Sequence, residues 1–456
     1  MTAYNQSLIQ WAKILAQHTT IEFVWLQFVN NSGNTLVRIL PVAKFTSMLQ
    51  TNKLLTLAQA IWYLVPGDAV AEGGTPSGAF SLLPDLDTAY IQPGSQGTRL
   101  LVQCDCVRKN DATQQAPECA RTRLRLLDDT LHHQLGAAIR VGFEVEVIFM
   151  RPQKHSQADG STKTTYAPTG LLHAFSNVTS EDYDYLDLAE ALSRALADVG
   201  APLELFHAEA APGQWEFVLP PERPVQAVDM LVKARDVIRT VARSFGLHAT
   251  LHPRPLPGQA GTGSHVHMSV NDPATGAPSP AAQAEPFFAG ILAHLPSVLA
   301  FTLSQEASYS RVATGLFSGG EYASWGWENK EIALRRIEDH RFELKLMDGL
   351  ANPYLALSAL LSAGIDGLRK KMDLTAGPSD VAPALLSEDD REKLGITIQL
   401  PHTLAESLAA LETDHVMCEL LGRKMIYPYV CVKRGEDKVL ASMDAEDRRV
   451  WLISRY

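Results

Sequence analysis

Two glutamates on one strand-like run are the first residues of this chain whose spacing suggests chemistry. In the segment GFEVEVIF, residues 142–149, Glu144 and Glu146 alternate with apolar residues. Side chains two positions apart on a strand leave the same face, so both carboxylates share one surface. Neighbouring carboxylates inside a domain repel each other unless a cation neutralises them. The pair predicts a cation site, with an ordinary solvated strand face as the alternative.

Two further segments carry acidic and imidazole groups at similar spacing. In HAEAAPGQWEF, Glu209 precedes a Pro-Gly turn and Glu216 lies on the strand after it, so a hairpin would bring them together. In GTGSHVHMSV, His265 and His267 share one strand face behind a glycine-rich loop. Surface glutamates and structural histidines are the alternatives.

The segment RFELKLMD places three charges on one strand face. Arg341, Glu343 and Lys345 alternate with apolar residues. A site for phosphate and metal needs this alternation, because carboxylates hold divalent cations and basic groups hold phosphoryl oxygens. A solvated sheet face shows the same pattern. Taken together, the four segments offer mainly hard oxygen ligands, which favours Mg²⁺ or Mn²⁺ over Zn²⁺.

The elements that must position these groups are strands and helices in irregular order. Strand-like runs occupy residues 140–149, 201–207, 214–219, 248–252, 265–270, 332–337 and 342–346, after a hairpin signal over 22–41. Helical patterns occupy residues 123–135, 183–199, 225–245, 286–304, 352–371 and the tail 403–456. This mixture, without a regular βαβ alternation, predicts an α+β fold with a largely antiparallel sheet.

Two stretches are rich in loop-forming residues. The Gly/Ser/Pro-rich segment 67–84 predicts an exposed loop. The polar segment 109–120 predicts the end of a small N-terminal β-rich domain. We therefore expect an N-terminal domain over residues 1–112 and a larger domain over residues 113–456.

The composition limits the classes of function. At 456 residues the chain is long for one hydrophobic core, which predicts at least two domains. Its formal net charge of −11 argues against nucleic-acid binding. Five scattered cysteines favour reduced thiols in a cytoplasmic protein. The N-terminus predicts an amphipathic helix rather than a signal peptide, and we find no apolar stretch long enough to span a membrane.

The order of these motifs resembles the glutamine synthetase superfamily over nearly the whole chain. The matching segments are the hairpin, LLPDLDT, ARTRL, GFEVEVIF, PGQWEF, HPRP, GTGSHVHMS, WGWENKEIALRRI, MDGLANPYLALSALLSAGIDGL, LPHTLAESLAALETD and YPYVCVKRGE. The resemblance implies a small N-terminal β-grasp domain and a catalytic domain with a curved, largely antiparallel sheet and flanking helices. It also implies a homo-oligomeric ring, a decamer or dodecamer, in which each active site lies between two subunits.

The same resemblance implies roles for individual residues. One divalent metal would be held by Glu146, Glu209 and Glu216, and a second by Glu144, His265 and Glu343. The residues that match ATP contacts are His207, His267, Ser269 and Arg341. Gly261 matches the loop that closes over the amino-acid substrate, Arg311 the arginine that grips its α-carboxylate, and Arg335 a phosphate-binding arginine.

The reaction implied is amide formation in two steps, with Mg²⁺ (or Mn²⁺) and ATP. ATP phosphorylates the γ-carboxylate of glutamate, and a nitrogen nucleophile then displaces phosphate from the acyl phosphate. Phosphorylation is needed because direct attack on a carboxylate would have to expel an oxide, whereas phosphate is a good leaving group.

Several positions depart from the pattern of ammonium-using members. Ala79 stands where an aspartate helps to bind ammonium, and Phe317 stands where a flap glutamate is expected. Glu321 would replace that glutamate only if the loop runs differently. Lys330 and Lys345 stand where the family has arginines, which keeps the charge but loses the planar fork.

These departures predict a retained metal–ATP site with a rebuilt acceptor side. Ala260 also replaces an asparagine of the closing loop. The chain thus resembles the branch that ligates glutamate, or a close analogue, to an alkylamine or polyamine. Two alternatives stay open: a non-catalytic relative that keeps the fold for assembly or regulation, and a true glutamine synthetase that uses ammonium.

Overall fold

A seven-stranded sheet forms most of the first quarter of the molecule. The computed structural model describes residues 3–109, 111–156, 159–170, 179–180 and 182–456. The strands in this first part of the chain are β1 (Phe23–Val29), β2 (Thr35–Pro41), β3 (Leu55–Ala58), β4 (Leu64–Val65), β5 (Ala69–Val70), β6 (Ala79–Pro84), β7 (Tyr90–Ile91), β8 (Arg99–Arg108) and β9 (Asp111–Gln115). The sheet order is β2-β1-β8-β6-β3, with β7 and β9 on β8, while β4 and β5 pair separately.

The predicted hairpin over residues 22–41 is confirmed. β1 and β2 pair antiparallel from Phe23 with Pro41 to Val29 with Thr35. The turn between them is stabilised by the Asn30 side chain, whose Oδ1 accepts hydrogen bonds from the backbone N of Ser32 at 3.1 Å and of Asn34 at 2.9 Å. β1 also pairs with β8, in parallel, which places the hairpin at one edge of the sheet.

A nine-stranded sheet forms the centre of the rest of the chain. Its strands are β10 (Ala138–Ser156), β11 (Thr162–Pro168), β12 (Leu205–Ala208), β13 (Gln214–Val218), β14 (His248–Thr250), β15 (Val266–Asn271), β16 (Trp325–Trp327), β17 (Leu334–Glu338) and β18 (Arg341–Leu344). The order is β12-β13-β10-β15-β18-β17-β16, with β11 and β14 paired to β10. Every pair is antiparallel except β16 with β17. The predicted α+β class with a largely antiparallel sheet is confirmed.

Helices pack around both sheets. In the described residues they are α1 (Ala3–Gln17), α2 (Val42–Gln50), α3 (Ala120–Gln134), α4 (Tyr183–Asp198), α5 (Pro224–Ser244), α6 (Ala281–Thr302), α7 (Glu306–Tyr309), α8 (Pro353–Lys370), α9 (Glu388–Lys393), α10 (Leu404–Thr413), α11 (His415–Leu421), α12 (Arg423–Ala441) and α13 (Ala445–Arg455). The predicted N-terminal helix corresponds to α1, and its first two residues, Met1 and Thr2, lie outside the described part.

Helices α6 and α8 pack closely against each other in the core. A Cβ added to Gly367 would lie 2.0 Å from the carbonyl oxygen of Pro286, and one added to Gly290 would lie 2.2 Å from that of Ala363. Glycine is therefore required at both positions, because any side chain would push the helices apart. The N-terminus of α8 is capped by Asn352, whose Oδ1 accepts from the backbone N of Tyr354 and Leu355.

Two expectations from the sequence are wrong. The segment 67–84 is not all exposed loop, because β6 lies within it, between β3 and β8, with Phe80 and Leu82 buried. Also, α6 is long and apolar enough to span a membrane by length and composition, although no such stretch was expected. Of its most apolar part, 72% is buried inside the fold, which is the burial of a core helix.

The predicted domain boundary between residues 112 and 113 stays a prediction. β9 runs across it and pairs with β8 of the first sheet. The first sheet has its own hydrophobic core, which includes Trp11, Phe45 and Phe80. The second sheet and its helices share another, much larger core.

Candidate active site

Strand register brings the predicted acidic residues together. The β10–β13 pairing places Glu146 opposite Glu216. The β12–β13 pairing places His207 opposite Glu216 from the other side. Across the sheet, the β15–β18 pairing places His267 opposite Glu343. The four separate sequence segments thus contribute to one face of one sheet.

This face forms the floor of a cavity of about 390 Å³. Thirteen of the residues predicted for the site line it: Glu144, Glu146, His207, Glu209, Glu216, Gly261, His265, Arg311, Phe317, Lys330, Arg335, Glu343 and Lys345. Five further residues complete the described lining: Ala210, Gln214, Ala260, Leu316 and Ser318. We call this cavity the cleft.

Three groups of side chains in the cleft and at its border have the geometry to hold a metal ion. In each group the ligand atoms lie within 4.8 Å of one another; the groups are Glu144 with Glu216 and His265, Glu144 with His267 and Glu343, and His207 with Glu209 and Glu216. Together these groups contain five of the six predicted metal ligands, all but Glu146. The ligands are combined differently from the two predicted metal sites. The assignment of each ligand to a particular metal therefore stays a prediction.

The pKa of Glu216 shows the effect of placing these carboxylates close together. Burial, together with the nearby Glu144, Glu146 and Glu209, raises the pKa of Glu216 to about 9. Like charges held this closely favour a neutral acid unless a cation is bound among them. The donor set is mostly carboxylate oxygen, which fits Mg²⁺ or Mn²⁺.

Glu144 lies between two histidines. Its carboxylate oxygens are 2.8 Å from His265 Nδ1 and 2.8 Å from His267 Nε2. Burial alone would raise the pKa of Glu144, but these two hydrogen bonds lower it well below its usual range. Glu144 is therefore ionised at neutral pH.

Glu343 lies among three basic groups. Its carboxylate is 3.0 Å from Lys345 Nζ, 3.0 Å from Arg335 Nη1 and 3.3 Å from His265 Nδ1. Burial would raise the pKa of Glu343, but Lys345 and His265 hold it at about 2. Arg335 also donates to Glu328 through its Nε at 2.9 Å. The cleft thus combines anions for metals with cations for phosphoryl oxygens.

A second cavity, of about 540 Å³, adjoins the cleft and shares Glu144 and Glu216 with it. It is lined by three of the four predicted ATP contacts, His267, Ser269 and Arg341, while the fourth, His207, lines the cleft. The two shared carboxylates place the two cavities next to each other. The nucleotide roles of these residues stay predictions.

Arg311 and Gly261 are in contact at one side of the cleft. Arg311 is only 4% exposed, and its Nη1 donates to the backbone oxygen of Lys345 at 3.2 Å. A Cβ on Gly261 would lie 3.1 Å from Arg311 Cβ and 2.5 Å from the carbonyl oxygen of Pro253. Only glycine allows this loop to pack so closely against the arginine.

Two glutamates hold the loop that carries Phe317, and Glu331 is the one bound to the backbone of Phe317. The Glu331 carboxylate accepts from the backbone N of Gly315 at 2.8 Å and of Phe317 at 2.6 Å. The Phe317 ring is 65% exposed, on a backbone with φ of 54°. Glu321 instead accepts from Thr314 Oγ1 at 2.7 Å and does not line the described cleft. The structure therefore does not bring the predicted substitute acid into the site.

Ala79 is also away from the cleft of its own chain. It begins β6 and lines a different cavity, between the first sheet and α12. That cavity also contains Tyr63, Arg108 and Tyr427. If Ala79 takes part in an acceptor site, that site is the cleft of a neighbouring subunit. Its role therefore stays a prediction.

Sequence reasoning missed Gln214, Glu328 and Glu331. Gln214 stands inside the PGQWEF segment, directly between two predicted ligands, so its polar side chain was a usable signal. Glu328 and Glu331 flank Lys330 in the WENKE segment, but their partners are set by tertiary contacts that no local pattern shows.

Comparison with known proteins identifies similar chains. Residues 117–448 match the model of a family described as glutamine synthetase, catalytic domain. The chain is 40% identical to protein fluG of Emericella nidulans over 445 residues, which are 97% of this chain but 50% of that protein. It thus spans about half the length of fluG.

Two further matches cover nearly the whole length of both compared chains. The gamma-glutamylpolyamine synthetase GlnA3 of Streptomyces coelicolor is 30% identical over 92% of this chain and 91% of its own length. Among solved structures, a novel glutamine synthase homolog superposes with a TM-score of 0.77 at 25% identity, covering 96% of this chain and 99% of the other.

Proposed function

The chain belongs to the glutamine synthetase family of carbon–nitrogen ligases, and we propose that it joins the γ-carboxylate of glutamate, or of a close analogue, to a primary organic amine. ATP is the co-substrate, and the product is a γ-glutamyl amide. The similarity to the gamma-glutamylpolyamine synthetase GlnA3 supports an amine acceptor. The cytoplasmic location and the ring assembly expected from the sequence belong to the same proposal.

One observation carries the choice of an organic amine over ammonium. The acidic residues in the described lining of the cleft are Glu144, Glu146, Glu209, Glu216 and Glu343, and the proposal uses all five for metals. Ammonium has no carbon substituent to bury, so its binding depends on a further anion that offsets the lost hydration of this small cation. The remaining uncharged lining includes Ala210, Ala260, Leu316 and Phe317, which suits a carbon substituent on the nitrogen.

The basic residues of the cleft have separate tasks in this mechanism. ATP transfers its γ-phosphoryl group to the γ-carboxylate, which forms an acyl phosphate and releases ADP. The amine nitrogen, as the free base, then attacks the acyl carbon, and the carbon–oxygen bond to phosphate breaks. The leaving phosphate takes up the proton that the nitrogen loses. Lys330, Arg335 and Lys345 offset the charge on the phosphoryl oxygens during both steps.

Substrate orientation is the task of Arg311. Its planar guanidinium forms paired hydrogen bonds with a carboxylate, which suits the α-carboxylate of the amino acid. Because Arg311 is buried against Lys345 and Gly261, its position is set before substrate binds. Pre-set geometry lowers the entropic cost of holding the donor.

Divalent cations would be held by Glu144, Glu146, Glu209, Glu216, His265 and Glu343. Bound there, Mg²⁺ or Mn²⁺ would neutralise phosphoryl charge and orient the transferred group. Their charge would also relieve the repulsion that raises the pKa of Glu216.

The test is an acceptor panel. Purified protein is assayed for ATP-dependent phosphate release with glutamate, Mg²⁺ and a range of primary monoamines and polyamines, with ammonium included. We expect at least one organic amine to exceed ammonium in kcat/KM by about tenfold, since burying each methylene contributes about 0.8 kcal/mol. Efficient glutamine formation, with no amine doing better, would overturn the proposal.

Phe317→Glu tests the acceptor side directly. An acid at this position is expected to move the amine-to-ammonium ratio of kcat/KM toward ammonium by about tenfold. Phe245→Glu is the matched control, because Phe245 is also an exposed phenylalanine and lies outside the described lining of the cleft. An unchanged ratio in the Phe317 variant would remove Phe317 from the acceptor site.

A further inference from the structure

Gln214 hydrogen-bonds three separate parts of the cleft, and the proposed mechanism gives it no task. Its Nε2 donates to Glu146 Oε2 at 2.7 Å and to the backbone oxygen of Gly261 at 2.9 Å. Its Oε1 accepts from the backbone N of Ala211 at 2.9 Å. The residue is 2% exposed, so these bonds are shielded from solvent. A buried amide with all three contacts made is held in one orientation.

The chemistry of the three partners determines that orientation. Both acceptors, the carboxylate of Glu146 and the carbonyl of Gly261, need a donor opposite them. Turning the amide over would place its oxygen against two other oxygens and its nitrogen against an N–H. Glutamine therefore matches this position, whereas glutamate or an apolar residue leaves buried groups unsatisfied.

The bond to Glu146 decides which of its oxygens faces the cleft. Oε2 accepts from Gln214 and also from the backbone N of Gly263 at 2.8 Å. Oε1 accepts no hydrogen bond within 3.5 Å in the described residues, and its neighbour is His265 Nε2 at 3.6 Å. Gln214 thus helps to leave Oε1 available for a cation.

The bond to Gly261 reaches the side of the cleft that would meet the amino-acid donor. Gly261 lies in the irregular segment 257–262 and packs against Arg311. The side-chain amide of Gln214 therefore joins Glu146, a proposed metal ligand, to the segment that would meet the amino-acid donor. A cation that orders Glu146 would order this segment through the same side chain.

We propose that Gln214 is a positioning residue that couples divalent-cation binding at Glu146 to the order of segment 257–262. The inference deepens the proposed function and rests on its metal site, but not on the identity of the donor or the acceptor. Coupling of this kind is reciprocal, so donor binding would strengthen cation binding by the same factor.

The experiment uses Mn²⁺ alone as the probe. Hydrogen exchange of peptides covering residues 257–262 is measured in the full chain with and without Mn²⁺, and Mn²⁺ affinity is measured by calorimetry. In the wild type, Mn²⁺ is expected to slow exchange in this segment. In Gln214→Leu that slowing is expected to vanish, and the Kd for Mn²⁺ to rise by about 10-fold, as for other residues that orient metal ligands.

Two further variants complete the design. Gln214→Asn is one methylene too short to reach both acceptors, so an intermediate effect is expected, and it replaces Gln214→Leu if that variant does not fold. Gln153→Leu is the matched control, because Gln153 is exposed on β10, and it should behave as the wild type.

The outcomes separate this inference from the proposed function. Retained Mn²⁺-dependent protection in a folded Gln214 variant, or its absence in the wild type, would overturn the inference even if the enzyme ligates glutamate to an amine. Protection that depends on Gln214, in a chain that ligates no amine, would leave the inference standing and overturn the proposed function.

Discussion

At the scale of single residues, Glu343 is a buried carboxylate that is both a proposed metal ligand and a neighbour of the residues proposed to bind phosphate. It is 1% exposed and touches Arg335, Lys345 and His265. A carboxylate surrounded in this way is ionised over the whole physiological range, because its pKa is about 2. Its charge balances the basic groups around it, and the proposed function gives it the further task of binding a cation.

Glu343→Gln keeps the shape of this residue and removes its charge. We expect ATP turnover at saturating Mg²⁺ to fall by at least about 100-fold, since even residues that only support metal ligands change affinity by about 10–100-fold. Steady-state phosphate release and Mn²⁺ calorimetry measure the effect, with the substitution of exposed Glu190 on α4, Glu190→Gln, as control. Turnover near that of the wild type would show that Glu343 is not part of the metal site.

At the scale of elements, His294 joins three helices of the core. Its Nδ1 is 2.7 Å from Asp414, the N-cap of α11, and its Nε2 is 3.0 Å from Asp366 on α8. Burial would lower the pKa of His294, but the hydrogen bonds to Asp414 and Asp366 raise it above 6.5. Both ring nitrogens donate to carboxylates only when the imidazole is protonated.

The stability from this contact should depend on pH. Because the folded pKa of His294 is raised, its contribution is fully present below about pH 6.5 and is lost as pH rises through the raised value. The pKa values of Asp366 and Asp414 are lowered against the opposing effect of burial, so their contribution is lost only as pH falls below about 4.

We therefore predict that His294→Gln lowers Tm more at pH 6 than at pH 9. Hydrogen bonds to charged groups contribute about 1.5–3 kcal/mol, which for a chain of this size corresponds to about 1–3 °C. Calorimetric scans of both proteins at the two pH values check this, with exposed His18→Gln as control. An equal Tm difference at both pH values would contradict a change in the charge of His294 between them.

At the scale of the whole molecule, Arg121 links the first sheet to the rest of the fold. Its guanidinium contacts Asp85 at 2.6 Å and Asp105 at 3.0 Å, both in the first part of the chain, and Asp229 of α5 at 2.7 Å. Tyr354 of α8 donates to Asp229 at 2.6 Å and extends the network. One buried cation thus serves three carboxylates from distant parts of the sequence.

Arg121→Met should loosen this junction. Removing one partner of a buried ionic network leaves like charges facing each other and costs about 3–5 kcal/mol. The loss of stability is measured by denaturant unfolding, with hydrogen exchange of β8 peptides as the readout. The control is Arg194→Met, because Arg194 forms an exposed pair with Glu190. Equal unfolding midpoints for the two variants would contradict a linking role.

Assembly is the second prediction at this scale. Because Ala79 lies outside the described cleft of its own chain, a part for it in the acceptor site requires a neighbouring subunit. A heterologous contact that closes on itself produces a ring. Light scattering is expected to show a large homo-oligomer, and Ala79→Asp to move acceptor preference toward ammonium. A monodisperse monomer at micromolar concentration would remove the basis of the shared site.

Much of the site was determined by the sequence alone, because its signals are local. The period of two along a strand places Glu144 with Glu146 and Arg341 with Glu343 on common faces whatever the rest of the fold does. The apolar residues between them mark the opposite, buried face. The fold class, the strands that line the cleft and the set of candidate ligands followed from such patterns and from motif order.

Only the tertiary structure decided which of these groups meet. Register between strands far apart in sequence put Glu146 opposite Glu216, and loop packing put Glu331, not Glu321, against the backbone of Phe317. The same holds for Gln214, whose partners come from three segments. Propensity and periodicity describe neighbours along the chain, whereas these contacts depend on long-range pairing and side-chain packing, which no local pattern encodes.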